Sequence, residues 1–154
     1  MTTFCLDTCV YIESWFRRYP IDVFPSFWEK LDDWAKTGRI LSTEEVRLEI
    51  AKVDDSLLDW IKNRKYFFHP LDEEVQRIVI DILADFPKLV GVGKNRSMAD
   101  PWVIAQAKTT GSKVVTEELA TGKKDQPKIP DVCSEFGVTC INTLDLIRQM
   151  KLKF

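Results

Sequence analysis

Apolar and polar positions alternate along this chain in two rhythms, one of strands and one of helices. Thr3-Phe4-Cys5-Leu6 is a short apolar run that stops at Asp7, the pattern of a buried strand. Asp7-Thr8 can then cap a helix carrying Val10, Ile12, Trp15 and Phe16 at helical spacing. Pro20 and Pro25 punctuate a loop, and residues 26–36 place Phe27, Leu31, Trp34 and Ala35 on one face before Gly38 ends the helix. Ile40-Leu41 reads as a short strand or a connector. Ser42-Thr43 ahead of Glu44-Glu45 has the form of a capping box, opening a helix with Val46, Leu48, Ile50 and Ala51. Helical patterns follow over 55–63 and 72–86, and Gly91 to Arg96 has the composition of a loop. The last third predicts a helix over 97–110, a strand over 113–116 and a polar loop over 121–130. A short helix opening at Asp131, a strand over 138–141 and a final helix from Asn142 through Met150 complete it. Short apolar strands alternating with helices predict an α/β fold, a parallel sheet flanked by helices.

Composition narrows this little. A chain of 154 residues, 45% hydrophobic and 30% charged, suits one globular domain spanning 1–154. No run reaches the roughly 18–20 apolar residues of a membrane span, and the N-terminus lacks a basic leader, so a cytoplasmic location is expected. Cys5, Cys9, Cys133 and Cys140 are spaced four and seven apart, with His69 the single histidine. Zinc sites usually take two cysteine pairs two to four residues apart, or one such pair with histidines, so four reduced thiols are expected, Cys5 buried in a strand. His69, beside Pro70, reads as a loop residue and leaves no basis for a Ser–His–Asp triad. Trp15, Phe27, Trp28, Trp34 and Trp60 fall at helical spacings and read as core. The net charge of −2 means that any nucleic-acid contact must rest on a local basic patch.

The acids carry more information. One predicted strand runs into Asp7 and another into Glu117-Glu118, while Asp100 sits near the start of the 97–110 helix and Glu49 lies within the helix that opens at Ser42-Thr43. Ligands of parallel sheets collect beyond the carboxyl ends of the strands. In a parallel sheet Asp7, Asp100 and Glu118 would therefore converge. Clustered carboxylates repel unless a cation lies between them, and hard oxygen ligands select Mg²⁺ or Mn²⁺. Taken singly, Asp7 and Asp100 also read as plain helix caps, Glu45 and Glu49 as solvated helix residues, and Glu117 and Glu118 as turn residues. Spacing alone leaves both readings open.

Three segments resemble a known family. Phe4-Cys-Leu-Asp7-Thr8-Cys9-Val10-Tyr-Ile12 resembles the first strand and helix of PIN domains. Ala99-Asp100-Pro-Trp-Val-Ile104-Ala105-Gln-Ala107 resembles their central helix, and Val114-Val115-Thr116-Glu117-Glu118 resembles their Val-Val-Thr-x-Asp strand end. Phe24-Pro-Ser-Phe-Trp28 and Lys128-Ile-Pro-Asp-Val-Cys133 look like a branch of short, stand-alone prokaryotic PIN proteins related to VapC toxins. The resemblance covers nearly the whole chain. It implies a three-layer α/β/α sandwich and a metal-dependent endoribonuclease, the toxin of a type II toxin–antitoxin pair. Asp7, Glu49, Asp100 and Glu118 would be its catalytic acids and the ligands of Mg²⁺ or Mn²⁺, with Glu45 the fallback for Glu49. A metal-bound water would attack the RNA phosphate, leaving a 3′-hydroxyl and a 5′-phosphate. Thr8, Thr116, Lys94, Arg96, Lys123 and Lys124 are the expected substrate contacts, with Lys113 and Lys128 adding to the basic loops. An antitoxin and a second copy of the chain are the implied protein partners. Two departures stand out: Cys9 replaces the usual Asn or Ser, removing a polar group near the metal, and Glu118 replaces the usual Asp. They raise the alternative of a catalytically weak PIN-like module that binds RNA or protein.

Overall fold

The computed structural model describes residues 1–53, 55–91 and 98–154. At its centre lies β1, Phe4–Leu6, with every residue buried. It pairs in parallel with β2 (Ile40–Thr43) on one side and β4 (Lys113–Val115) on the other, Phe4 standing opposite both Ile40 and Lys113. Beyond them lie β3 (Phe68–His69) and β5 (Cys140–Ile141), giving the order β3-β2-β1-β4-β5 with all pairings parallel. Burial on both faces explains why the central strands read as unbroken apolar runs. All carboxyl ends open on one edge.

The helices that connect and cover this sheet follow their caps. Asp7 caps α1 (Thr8–Glu13). The helix then runs into a wider turn over Ser14–Arg18, where Tyr19 N–H reaches Ser14 O at 2.9 Å. Pro25 is the first residue of α2 (Pro25–Lys36) and not a break before it, a position where its missing N–H costs nothing. Next come α3 (Glu44–Ala51) and α4 (Asp55–Lys62). The cap of α5 (Glu73–Asp85) is Asp72, which accepts from Val75 N–H at 2.9 Å. α6 (Asp100–Thr110) packs against β1, β2 and β4 under α5 and buries nearly all its length, including Val103, Ile104 and Ala107. The chain ends with α7 (Ile129–Phe136) and α8 (Thr143–Gln149), the latter capped by Asn142.

Several boundaries differ from the sequence expectation. β2 extends through Ser42 and Thr43 because both hydroxyls have work inside the fold. Ser42 Oγ donates to Leu6 O at 2.8 Å and lies 2.7 Å from the Tyr11 hydroxyl, while Thr43 Oγ1 caps α3 through Glu45 N–H at 3.1 Å. His69 is the last residue of an edge strand, not a loop residue; two residues before a proline are too few to show a strand rhythm. β5 starts later than expected, since Val138 N–H closes α7 by donating to Cys133 O at 2.9 Å. α7 opens at Ile129, two residues before Asp131. The expected loop at 92–96 and the helix start at Ser97 lie outside the described residues. All four cysteines are free, with Cys5 buried as expected. Among the described residues no helix is long and apolar enough to cross a membrane.

Candidate metal centre

Asp7 leaves the central strand and stays on its ladder, donating its N–H to Val115 O at 3.0 Å. Only 3% of the residue is exposed. Its Oδ1 accepts Thr8 N–H at 2.7 Å, so the same carboxylate caps α1, and its Oδ2 faces inward. Asp100 is the first residue of α6, not its cap; Ala99 holds the cap position. Glu118 follows β4 after two further residues. The parallel sheet brings the three together: one oxygen from each of Asp7, Asp100 and Glu118 lies within 4.8 Å of the others, the two aspartates buried and the glutamate half-buried. Burial pushes the Asp7 carboxyl up to about 6; the Cys9 thiol, Thr116 and Thr8 N–H pull it down, and the Glu118 charge pushes it up. Three such carboxylates held together in a low-dielectric edge form an all-oxygen donor set, which suits a hard divalent cation such as Mg²⁺ or Mn²⁺.

The side chains around the acids set their positions. Thr116, 3% exposed, donates from Oγ1 to Asp7 Oδ2 at 3.0 Å and accepts Glu118 N–H at 3.2 Å. It is therefore a brace between two acids and not an open substrate contact. Cys9 does not leave Asp7 short of a donor: its Sγ–H reaches Asp7 Oδ2 at 3.0 Å, and its sulfur accepts Glu117 N–H at 3.3 Å. Burial and the Asp7 charge push the thiol well above its ordinary range, which keeps it protonated as a donor. The longer arm of Glu118 is anchored as well, its Oε2 accepting Ile129 N–H at 3.0 Å from the start of α7. Neighbouring Glu117 is turned to other work, holding Thr143 N–H at the head of α8 and Arg18 at 3.0 Å each.

Outer-shell partners of metal ligands commonly contribute 10–100-fold in affinity. Thr116→Val should accordingly weaken Mn²⁺ binding by about that factor, read by calorimetric titration, with the circular dichroism spectrum unchanged. Unaltered affinity would show that Thr116 does not brace the acids.

Glu49 stands beside the trio and not within it. Thr8 Oγ1 donates to Glu49 Oε1 at 2.6 Å, and both line a cleft of 360 Å³ with Asp7, Lys52, Met98 and Asp100. Glu45, the fallback, is not among the described residues lining that cleft. A second groove of 750 Å³, lined by Lys88, Gln126 and Lys128, meets the first at Asp100 and Glu118. The acids thus sit where two grooves join. Of the expected basic contacts, Lys94 and Arg96 lie outside the described residues. Lys123 and Lys124 are exposed in the 121–128 loop without lining the groove, and the Lys124 ammonium lies 5.4 Å from the Phe86 ring centroid. Lys113 starts β4 and lines a pocket with Met1 and Gly137 at the opposite end of the strands. Lys88 was not singled out from the sequence, where a lone lysine after Pro87 carries no signal.

Residues 4–154 match the model of DUF4411, described as a domain of unknown function. The chain belongs to this family. No curated protein sequence matches it. Among solved structures, it is similar to a chain of VapBC2 from Rickettsia felis bound to a DNA fragment from their promoter. The TM-score is 0.53 at 12% identity, covering 92% of this DUF4411 chain and 98% of the other. FitAcB from Neisseria gonorrhoeae is similar at TM-score 0.50 and 17% identity, with 91% and 97% covered. At these identities the likeness concerns the fold. This DUF4411 protein has the PIN-like α/β/α architecture that its motifs imply.

Proposed function

We propose that this DUF4411 protein is a metal-dependent endoribonuclease and the toxin of a toxin–antitoxin pair. The observation that carries the reading is the meeting of Asp7, Asp100 and Glu118 oxygens within 4.8 Å at the carboxyl edge of a PIN-like sheet. Asp7, Asp100 and Glu118 would hold Mg²⁺ or Mn²⁺, with Glu49 alongside through Thr8. A cation bound there supplies water activation and neutralises charge on the phosphodiester. The chain's own part is to hold the acids in register through Thr116, Cys9 and Ile129 N–H, and to offer Lys88 and Lys128 to phosphates beside them. The likeness to chains of VapBC2 and FitAcB supports a cognate antitoxin as partner. A cytoplasmic homodimer belongs to the same reading. The brace on Asp7 from Cys9 speaks against the weak-module alternative, because the substitution keeps a donor where one is needed.

Purified protein should cleave a single-stranded RNA oligonucleotide in Mn²⁺, stop in EDTA and resume when Mn²⁺ is returned in excess. RNA that stays intact in Mn²⁺ and Mg²⁺ alike would overturn the ribonuclease reading.

A further inference from the structure

The loop between Glu118 and α7 is organised around one carboxylate. Asp131 Oδ1 accepts Thr121 N–H at 3.1 Å and Gly122 N–H at 2.9 Å, while its Oδ2 accepts Lys128 N–H at 2.8 Å. Gly122 takes a positive φ of 69°, the left-handed turn that lets consecutive amides converge on one anion. Thr121 Oγ1 closes the loop from within, lying 2.8 Å from Gln126 O and accepting Lys123 N–H at 3.1 Å. Asp131 itself stands in the first turn of α7, reaching back to the cap residue Lys128. The next amide, Ile129 N–H, goes to Glu118. Two successive amides at one helix start therefore serve the loop carboxylate and a candidate metal ligand. The loop so closed carries Lys123, Lys124 and Lys128, and it sets Thr121, Gln126 and Lys128 along the groove that opens from Asp100 and Glu118. Burial pushes the Asp131 carboxyl up, but donation from the Thr121, Lys128 and Gly122 amides outweighs it and leaves the group below its usual range. That agrees with a carboxylate held by its bonds and not by shelter.

We infer that Asp131 is a positioning residue for substrate: it holds the 121–128 loop as a fixed arm along which the RNA backbone flanking the cut site is gripped. This rests on the ribonuclease reading. A flexible lysine loop would meet phosphates too, but each contact would then cost the ordering of the loop. Asp131 removes that cost in advance, so its effect falls on binding of longer substrates and not on the bond-breaking step.

The test compares the parent with Asp131→Ala and Asp131→Asn, each as the full chain, on a long single-stranded RNA and on a tetranucleotide in Mn²⁺. Asp131→Ala should raise KM for the long RNA about tenfold, the equivalent of one charge-assisted contact, with kcat within about twofold of the parent. The slope of log affinity against log salt should fall by about 1. Tetranucleotide cleavage and Mn²⁺ affinity should be unchanged, and trypsin should cut after Lys123 and Lys124 faster. Asp131→Asn, which keeps one acceptor for Thr121 and Gly122, should fall between. Unchanged KM and salt slope beside faster trypsin cutting would reduce Asp131 to a structural cap and overturn the inference. So would a loss confined to kcat with weakened Mn²⁺ binding. A parent that neither cuts nor binds RNA sinks the ribonuclease reading and this one together; a parent that cuts, with an indistinguishable Asp131→Ala, sinks this one alone.

Discussion

Asp100→Asn is expected to slow metal-dependent RNA cleavage by about two to four orders of magnitude, the several kcal/mol a catalytic cation supplies, while making the metal-free protein more stable. Asp100 is 5% exposed and shares its space with Asp7 and Glu118. The amide has the same shape but takes one negative charge from the donor set, so a cation held there would lose a ligand and, on the proposed reading, the reaction its charge neutralisation. Without metal the balance reverses. The trio then costs both desolvation and mutual repulsion, and relieving one charge recovers part of that. The offset is the interaction of Asp100 with the head of α6, where a carboxylate is worth roughly 0.3–1 kcal/mol. A net gain of about 1 kcal/mol corresponds to about 2–4 °C in a domain of this size. Melting curves in EDTA should place the variant above the parent, and Mn²⁺ should raise the parent's Tm while leaving the variant's nearly still. A variant that melts lower in EDTA and still cleaves RNA at the parent's rate would remove Asp100 from the metal centre.

Trp28→Ala should destabilise the protein by about 3–5 kcal/mol, much of the 5–15 kcal/mol available to a typical domain. Trp28 is 1% exposed, and its ring meets those of Trp15 and Trp60 edge-on at 5.0 Å each and that of Phe27 at 5.3 Å. Its indole N–H donates to Tyr19 O at 2.7 Å, just past the wide turn that follows α1. Truncation therefore leaves a large cavity among rings and an unpaired carbonyl at once. Trp15 sits on that wide turn, in continuity with the helix that Asp7 caps, so the loss should loosen the acidic edge as well. Urea unfolding measures the first effect and Mn²⁺ affinity the second. Trp28→Phe should restore most of the packing but not the hydrogen bond. A midpoint change worth less than about 1 kcal/mol for Trp28→Ala would mean the aromatic cluster is not the core this packing describes.

The meeting of the three acids of the candidate site is legible in the sequence because they sit where a local pattern changes. Asp7 ends an apolar run, Asp100 opens a buried helix and Glu118 follows a strand, and the rule of parallel sheets then brings them to one edge. The strand order was not legible, since it depends on which short strands pair across long stretches of chain. β3 has no signature in the sequence because Phe68 and His69 are too brief to alternate and Pro70 argues for a loop. Lys113 misleads for the opposite reason: it is close to Glu118 in sequence, yet a strand's length puts the two at opposite ends. The family resemblance implies Thr116 as a substrate contact, while its burial and its two hydrogen bonds make it a brace. Asp131 looked like the residue that opens α7. Its actual reach back to Lys128, Thr121 and Gly122 depends on a loop closure that spacing does not encode.

The brace between Asp7 and Thr116 spans 109 residues of chain. A ribosome making this protein therefore releases the first acid long before the strand that completes the edge exists. Prematurely terminated products that end before β4 carry Asp7 and Asp100 but lack one of the two strands beside β1 and the third carboxylate. Such fragments should be inert, and whatever chemistry the acidic edge performs should begin only once β4 and Glu118 have been made.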